Sequence, residues 1–557
     1  MTQRPRSGRL VGAGLARPAG IEAPRDAADA IVEHRRLVLA GLVGAQLAFV
    51  LALALSIEHN GWLYYQGGDQ IWLVTTGWLL RFLEMPWAIV SPGWPLVFAP
   101  ITAVTGPDMI SAVPPTMALN VLVLGPLATW AVYALAARFA GVGAGLWCAA
   151  LWVVAPYAAI PFFVERYHER YTEQFLPQAL GLTQLADYPS MVLLLVAAVL
   201  LARALEPGRL HEAIAAGLIA GYAGALKPSN YLFLVGAGLA ILIARRWREG
   251  VAFGLALAPA ALAILVWKLK GLGPEQVHAA AGTVVPPVAS VFDRIDTFDW
   301  DTWRQNMASL REYFWSARLL QWAPLAGTVA VARRSYPAAG LLAGWFFAFL
   351  IVKGSSPVAS VDSGSFFRLL MPAFPAFLLL VAAVPLLVPG LFRRLADRIA
   401  PPSVPPLSRR VVVGLAVALA ILPLAAVALA RPLEGPDRAI LVDEILTPVD
   451  GDALALRVER TGEGQRLSWT RPTELARLFY RVYRTREAGA SGVRCEDRGA
   501  VKCDLEMDVL ATTRARTYID RAPRPGLAYR VAAAANWEDD PAQGDAFLLS
   551  ERVPAGR

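Results

Sequence analysis

Residues 37–57 read LVLAGLVGAQLAFVLALALSI and follow directly on His34-Arg35-Arg36. An uncharged apolar run of this length is what an α-helix needs to cross a hydrocarbon core of about 30 Å at about 1.5 Å per residue. The arginines before it give the run a direction, because Lys and Arg are retained on the cytoplasmic side. It therefore reads as a signal anchor with its N-terminus inside. Residues 1–33 are polar and rich in Arg, Pro and Ala, and are expected as a disordered cytoplasmic N-terminus. They hold no apolar h-region near the N-terminus, so a cleaved signal peptide is not expected.

Ten further apolar segments follow, at about 118–138, 142–160, 188–204, 212–226, 229–244, 251–269, 317–332, 336–353, 367–389 and 411–430, with a partial insertion a further option at 93–105. Eleven spans put Arg35/Arg36, Arg138, Arg203/Arg209, Arg245/Arg246/Arg248, Arg333/Arg334 and Arg393/Arg394/Arg398/Arg409/Arg410 on one side, whereas a missed span would scatter them. The expected fold is an α-helical polytopic membrane protein of about 11 transmembrane helices over residues 34–431. It is expected in the plasma (inner) membrane, with the N-terminus cytoplasmic and the C-terminal domain extracytoplasmic. Its polar mass then falls in outer loops at about 58–117, 161–187 and 270–316, which is where chemistry is expected.

Composition agrees. Hydrophobic residues make up 56% of the 557 and charged ones 17%, against about 45–50% and about 25% in soluble domains. Mean hydropathy is +0.46. The net charge of +8 divides unevenly: residues 1–431 carry 33 basic and 23 acidic side chains, residues 432–557 carry 19 and 21. The positive excess is therefore an orientation signal and gives no ground for a nucleic-acid partner. No P-loop, GxSxG, HExxH or strand–helix GxGxxG occurs, which leaves soluble nucleotide chemistry unsupported.

After a linker at 432–445 the character changes. Gln465–Trp469, Leu478–Arg484 and Leu527–Ala533 alternate apolar and polar residues, the period of half-buried strands, and turn-forming clusters separate them. Residues 446–557 are expected as a small all-β domain. An oxidising compartment would favour a Cys495–Cys503 disulfide closing a short loop. Cys148, alone in an apolar run, reads as a small hydrophobe.

Charges are scarce in the apolar body, so each one is informative. Asp69 follows Gly67-Gly68 and precedes Ile71, Val74, Trp78, Leu79, Phe82 and Leu83 at helical spacing. This predicts an amphipathic interfacial helix with Asp69 either capping it or serving as a general base at headgroup depth. In Glu165-Arg166-Tyr167-His168-Glu169-Arg170, two acids and two arginines recur at i,i+4. That is either a solvated helix held by local ion pairs, or Glu165 as a second acid with Arg166 or Arg170 on a phosphate. His168 with Glu165 and Glu169 offers donors for a divalent metal ion, but in no recognised spacing, so no cofactor is assigned. Asp187 opens a span, as a helix cap or facing a cavity. Lys227, one of only five lysines, interrupts the apolar stretch 212–244. It either snorkels from a turn or meets an anion. Arg368 leads an uncharged span and suits either an interfacial anchor or a bidentate phosphate contact.

Taken in order, these stretches resemble the C-type glycosyltransferase superfamily (GT-C), in the neighbourhood of protein mannosyltransferases and lipid A aminoarabinose transferases. The carrying residues are Gly68-Asp69, Pro92-Gly93-Trp94-Pro95, Asp187-Tyr188-Pro189-Ser190, the Gly-rich Gly217–Ser229 with Lys227-Pro228-Ser229, and Arg368–Pro375. The resemblance implies an inverting transfer of a sugar from a polyprenyl-phosphate-linked donor to an acceptor hydroxyl on a cell-envelope glycan, lipid or protein. It implies Asp69 as base, Lys227 and Arg368 on the leaving phosphate, and Glu165 or Asp187 as a second carboxylate, because Gln70 stands where a second acid is commonest. The tail resembles a fibronectin type III module through Leu467-Ser468-Trp469, Tyr480–Arg484, Tyr518-Ile519-Asp520 and Pro525–Val531, with Tyr529 at the corner position. The competing classes are a transporter or flippase, which would predict an inverted repeat, and a non-catalytic scaffold displaying the β-domain.

Overall fold

The computed structural model describes residues 33–56, 68–86, 88–270, 298–314, 321–388, 406–433, 438–442, 445–473, 478–486, 507–524, 526–535 and 544–556. Cys495 and Cys503, and so their expected disulfide, lie outside the described residues, as does most of the loop at 270–316. The body is helical: α1 Arg35–Ser56, α2 Asp69–Leu80, α3 Gly93–Thr105, α4 Val113–Ala140, α5 Val142–Ala158, α6 Glu165–Arg170, α7 Asp187–Ala204 and α8 Leu210–Leu226. There follow α9 Pro228–Ala244, α10 Trp247–Lys270, α11 Trp300–Tyr313, α12 Ala323–Ala332, α13 Tyr336–Gly354, α14 Ser365–Leu387 and α15 Arg409–Leu429.

Among the described residues seven of these, α1, α4, α7, α10, α13, α14 and α15, are long and apolar enough to cross a membrane. The chain is a multi-pass membrane protein on that count. Of the eleven expected spans, the other four form the shorter apolar helices α5, α8, α9 and α12. By length the expectation divides into seven full helices and four short ones.

Close helix contacts rest on small residues, since helices in lipid gain by backbone approach rather than by hydrophobic burial. A Cβ on Gly217 of α8 would sit 2.3 Å from the Phe253 carbonyl oxygen of α10, and one on Gly236 of α9 would sit 2.2 Å from that of Leu341 on α13. These glycines seat α8 and α9, the two helices that flank Lys227.

The prediction of an amphipathic surface helix at Asp69 needs correction. Every residue of α2 from Gln70 to Leu80 is buried. The segment is apolar nearly all round, which is the pattern of an enclosed helix. Of the predicted apolar face only Phe82 and Leu83, beyond the helix end, are exposed. On one side α2 packs against α3, where a Cβ on Gly77 would meet the Phe98 Cβ at 2.4 Å. On the other it meets the C-terminal region.

That region is built of β-strands: β3 Ala439–Val442, β4 Ile445–Pro448, β5 Arg457–Thr461, β6 Gly464–Ser468, β7 Phe479–Arg486, β8 Met507–Thr513, β9 Thr517–Asp520, β10 Leu527–Ala535, β11 Asp545–Leu549 and β12 Val553–Pro554. One antiparallel sheet has the order β5-β6-β9, and a second the order β11-β10-β7-β8 with β12 also on β10. Trp469, Tyr480, Val482, Tyr529, Val531 and Phe547 share one buried cluster. The Tyr529 hydroxyl donates to Asp520 at 2.7 Å, tying the two sheets together. Burial, then that hydrogen bond, raises the Tyr529 phenol above its ordinary value. β10, expected to be half-buried, is covered on both faces, because the β3–β4 hairpin places Ile440 and Val442 against Tyr483, Ala532 and Leu549.

Two features join this region to the helices. The stretch read as a linker, 432–445, carries β3, and β2 (Arg431–Pro432) pairs in parallel with β1 (Glu84–Met85), just past α2. Leu433, Ala439 and Leu446 then pack on Trp72, Trp78 and Leu79 of α2. The β-region is thus the wall that buries the Asp69 helix.

Candidate active site

Four charged side chains from four separate segments meet. Asp187, the first residue of α7, has a side chain only 3% exposed. One of its carboxylate oxygens accepts from Lys227 Nζ, and the other accepts from Arg368 Nε at 3.3 Å. The same guanidinium reaches Asp69 with its Nη2. Exposure rises outward through the cluster, from Asp187 through Lys227 at 22% and Arg368 at 27% to Asp69 at 55%. Arg368 is the hub: it holds a buried carboxylate with one edge and a half-exposed one with the other.

Local sequence sets each member. Lys227 takes an extended conformation (φ −151°, ψ 113°) between α8 and the 3-10 turn Pro228–Leu232. A residue before proline is pushed out of the helical region, which ends α8 at this point. Asn230 is buried and donates to the Ala223 carbonyl at 2.6 Å, closing the turn. Arg368 lies in the first helical turn of α14, and Met371–Ala373 continues it as a 3-10 turn at the first of its prolines.

Asp69 does not cap its helix. The cap position is Gly68, without a side-chain hydrogen bond, and Asp69 is the first helical residue, where a carboxylate suits the helix dipole. Its neighbour Gln70 is fully buried and donates to Gln184 at 3.3 Å. Gln184 in turn donates to the Met109 carbonyl at 3.0 Å, and its own carbonyl accepts from Trp94 Nε1 at 2.7 Å. Asn120 holds the Gly181 and Thr183 carbonyls at 3.0 and 3.1 Å. These neutral groups fix the turn before Asp187 and link it to α2. Gly93 packs on the end of α8, where Tyr222 donates to its carbonyl at 2.9 Å. Sequence reasoning missed Gln70, Gln184, Asn120 and Tyr222 as supports. It took Pro92-Gly93-Trp94-Pro95 as part of the resemblance but gave Gly93 and Trp94 no supporting contacts.

The segment of the second outer loop behaves differently. Glu165, Arg166, Glu169 and Arg170 are exposed on α6. Arg166 pairs with Glu312 of α11 and lies over the Tyr313 ring at 4.9 Å, so its ion pair is long-range rather than within the helix. His168 Nε2 is 2.9 Å from the Phe163 carbonyl oxygen. Among the described residues no hydrogen bond or ion pair joins Glu165, Arg166, His168 or Arg170 to the Asp187 cluster. The apolar side of the segment does come near, since Phe163, Tyr167 and Phe175 pack on Phe367, the residue before Arg368.

A divalent metal does not suit these residues. Asp69 and Asp187 already face a guanidinium, and Asp187 an ammonium as well. Among the described residues no three His, Cys, Asp or Glu side chains gather as ligands. Chemically, the cluster is two cations held by one buried carboxylate, with a second, outward carboxylate beside them. That arrangement can receive an anion on the cations and a proton on Asp69.

No family model matches the chain, and no curated protein matches it. Among solved structures it is similar to two crystal structures of the Archaeoglobus fulgidus oligosaccharyltransferase, one in complex with zinc and sulfate and one in the apo form. Identity is 13% in both, with TM-scores of 0.37 and 0.38. Each match covers 72% of this chain but 53% and 56% of the other, so the chain spans about half the length of those proteins.

Proposed function

We propose that this chain is a membrane glycosyltransferase of the GT-C kind, taking a sugar from a polyprenyl-phosphate donor at the Asp187 end of the bundle. The observation that carries the reading is the meeting of Asp69, Asp187, Lys227 and Arg368, the charged residues at four of the five stretches on which the resemblance rests. In this reading the bundle has about eleven spans in the inner membrane, the Asp187 end faces outward, and the β-region is an extracytoplasmic fibronectin type III-like sandwich. The strand orders β5-β6-β9 and β11-β10-β7-β8 and the Tyr529–Asp520 bond support that last assignment.

The chemistry follows from the charges. The donor's phosphate settles on Lys227 and Arg368 and takes over the guanidinium edge that Asp69 holds. Asp69 is thereby released to accept the proton of the acceptor hydroxyl. The hydroxyl oxygen forms its bond to the anomeric carbon on the face opposite the phosphate. The carbon–oxygen bond to phosphate breaks, its electron pair leaves with the phosphate, and the anomeric centre inverts. Cations fixed in advance stabilise that growing charge without reorganising. Asp187, buried and already bound to both cations, holds them in place rather than taking a proton. Glu165, Arg166, His168 and Arg170 have no part in this scheme.

The test is transfer from polyprenyl-phosphate-linked sugars by full-length protein in liposomes. Asp69→Asn should lower turnover by about 10²–10⁴-fold, the usual worth of a general base. Wild-type turnover in a folded Asp69→Asn protein would remove the base from the scheme.

A further inference from the structure

A cavity lies away from the Asp187 cluster. It measures about 560 Å³ and is bounded by α1, α4 and α7. One of its residues is Arg203, at the opposite end of α7 from Asp187, a helix of 18 residues and so about 27 Å long. The cavity is therefore one bilayer thickness from the proposed active site, and its inference is independent of the transferase reading.

Its lining follows one rule on all three helices. On α1 the cavity face is Arg35, Arg36, Leu39, Ala40 and Val43; on α4 it is Trp130, Tyr133, Ala134 and Arg138; on α7 it is Val199 and Arg203. These positions recur at i,i+3 and i,i+4, so each helix shows the cavity a face that is mainly apolar deeper in and arginine at the same end. Retention of positive charge at one membrane face explains arginines at helix ends. It does not require them to close around one cavity whose deeper wall is apolar.

The arginines fall into two pairs. Arg138 bonds to Glu206 and to the Ala202 carbonyl, and Arg203 bonds to Glu212 at 2.6 Å, so these two are fixed by protein. Arg35 and Arg36 make no ion pair among the described residues. The stretch before them is not an acidic one, since residues 1–33 carry five Arg against four acidic residues. Phe49 and Leu51 higher on α1, and Trp130 of α4, are exposed large apolar groups at membrane depth, so acyl chains have a surface to lie on.

We propose that this cavity binds an anionic phospholipid of the leaflet at the Arg203 end, with the headgroup phosphate on Arg35 and Arg36 and an acyl chain along Leu39, Val43 and Trp130. Paired guanidinium groups suit a phosphate, and the apolar stripe distinguishes a lipid from a free anion. The experiment is native mass spectrometry of full-length protein in detergent, titrated with phosphatidylglycerol, phosphatidylcholine or glycerol 3-phosphate. Phosphatidylglycerol should be retained in preference to both other probes. Arg35→Gln with Arg36→Gln, on a surface that tolerates change, should weaken its binding about thirtyfold. Val43→Trp, which fills the groove and leaves every charge, should weaken it too. Equal retention of phosphatidylcholine, glycerol 3-phosphate binding as tightly as the lipid, or unchanged lipid affinity in either variant would each overturn the proposal.

Discussion

The two ends of α7 carry the same chemical device built in two ways. At the Asp187 end a carboxylate 3% exposed accepts from two cations, Lys227 and Arg368. At the other end a carboxylate fully buried, that of Glu212, accepts from Arg203 at 2.6 Å and Arg209 at 3.3 Å. The partners differ in origin. Arg203, Glu206, Arg209 and Glu212 all come from one helix–turn–helix, and Glu206–Arg209 and Arg209–Glu212 are i,i+3 pairs. Arg368 and Asp69 are 299 positions apart, and Arg368 and Asp187 are 181 apart. These four form with the turn that contains them, and Arg138 on Glu206 and the Leu407 N–H on Glu212 add to them from elsewhere. A cluster gathered from four distant segments has no such shortcut, because ordering long side chains across long loops costs entropy that a part-exposed ion pair does not recover. The Glu212 cluster is what a stable turn requires, and the Asp187 cluster is what a binding site requires.

Breaking the buried acids should separate the two ends most strongly. Asp187→Ala leaves Lys227 and Arg368 facing a low-dielectric pocket with one anchor gone. Removal of one partner from such a group typically costs about 3–5 kcal/mol. A large drop in the detergent melting temperature is expected, together with loss of polyprenyl phosphate binding in the protein that remains folded. Retained lipid-phosphate affinity would show that Asp187 is a structural ion only, and the contrast between the ends would disappear.

The matching change at the other end is Glu212→Gln. The amide still reaches its neighbours but loses the charge that holds Arg203, a hydrogen bond worth about 1.5–3 kcal/mol when one partner is ionised. Stability should fall, while polyprenyl phosphate affinity, measured on the folded fraction, should stay at the wild-type value. An altered affinity would mean that the ends are coupled through α7.

How far this contrast was visible in the sequence depended on charge. Asp69, Asp187, Lys227 and Arg368 stand out because an apolar body seldom carries such groups. Gln70, Gln184, Asn120 and Tyr222 are neutral, and nothing in composition or periodicity marks them, although they connect the pieces that carry the charges. The helix at Asp69 was found by its period but assigned the wrong environment. DQIWLVTTGWLL holds little polarity for a wet face, and that was the available signal. What covers it, Leu433, Ala439 and Leu446, lies more than 350 residues away and depends on how the β-region docks. At α6 the i,i+4 stripes suggested local pairing, yet Arg166 turned to Glu312, because a short exposed helix offers its charges to whatever element lies beside it.

The smallest expected effect tests the hub itself. In the substrate-free protein Asp69 and a donor phosphate compete for one edge of Arg368. Asp69→Asn removes the competing charge while leaving Asp187 to hold both cations. Affinity for polyprenyl phosphate should therefore rise, by about two- to fivefold, the scale of a part-exposed ion pair. Sugar transfer by the same variant should fall. Weaker lipid-phosphate binding in Asp69→Asn would mean that Asp69 helps hold the donor, and a catalytic loss would then no longer identify it as the base. Opposite movements of affinity and turnover in one substitution are not what a merely structural residue gives. At the other end of α7, Glu206→Gln should produce neither.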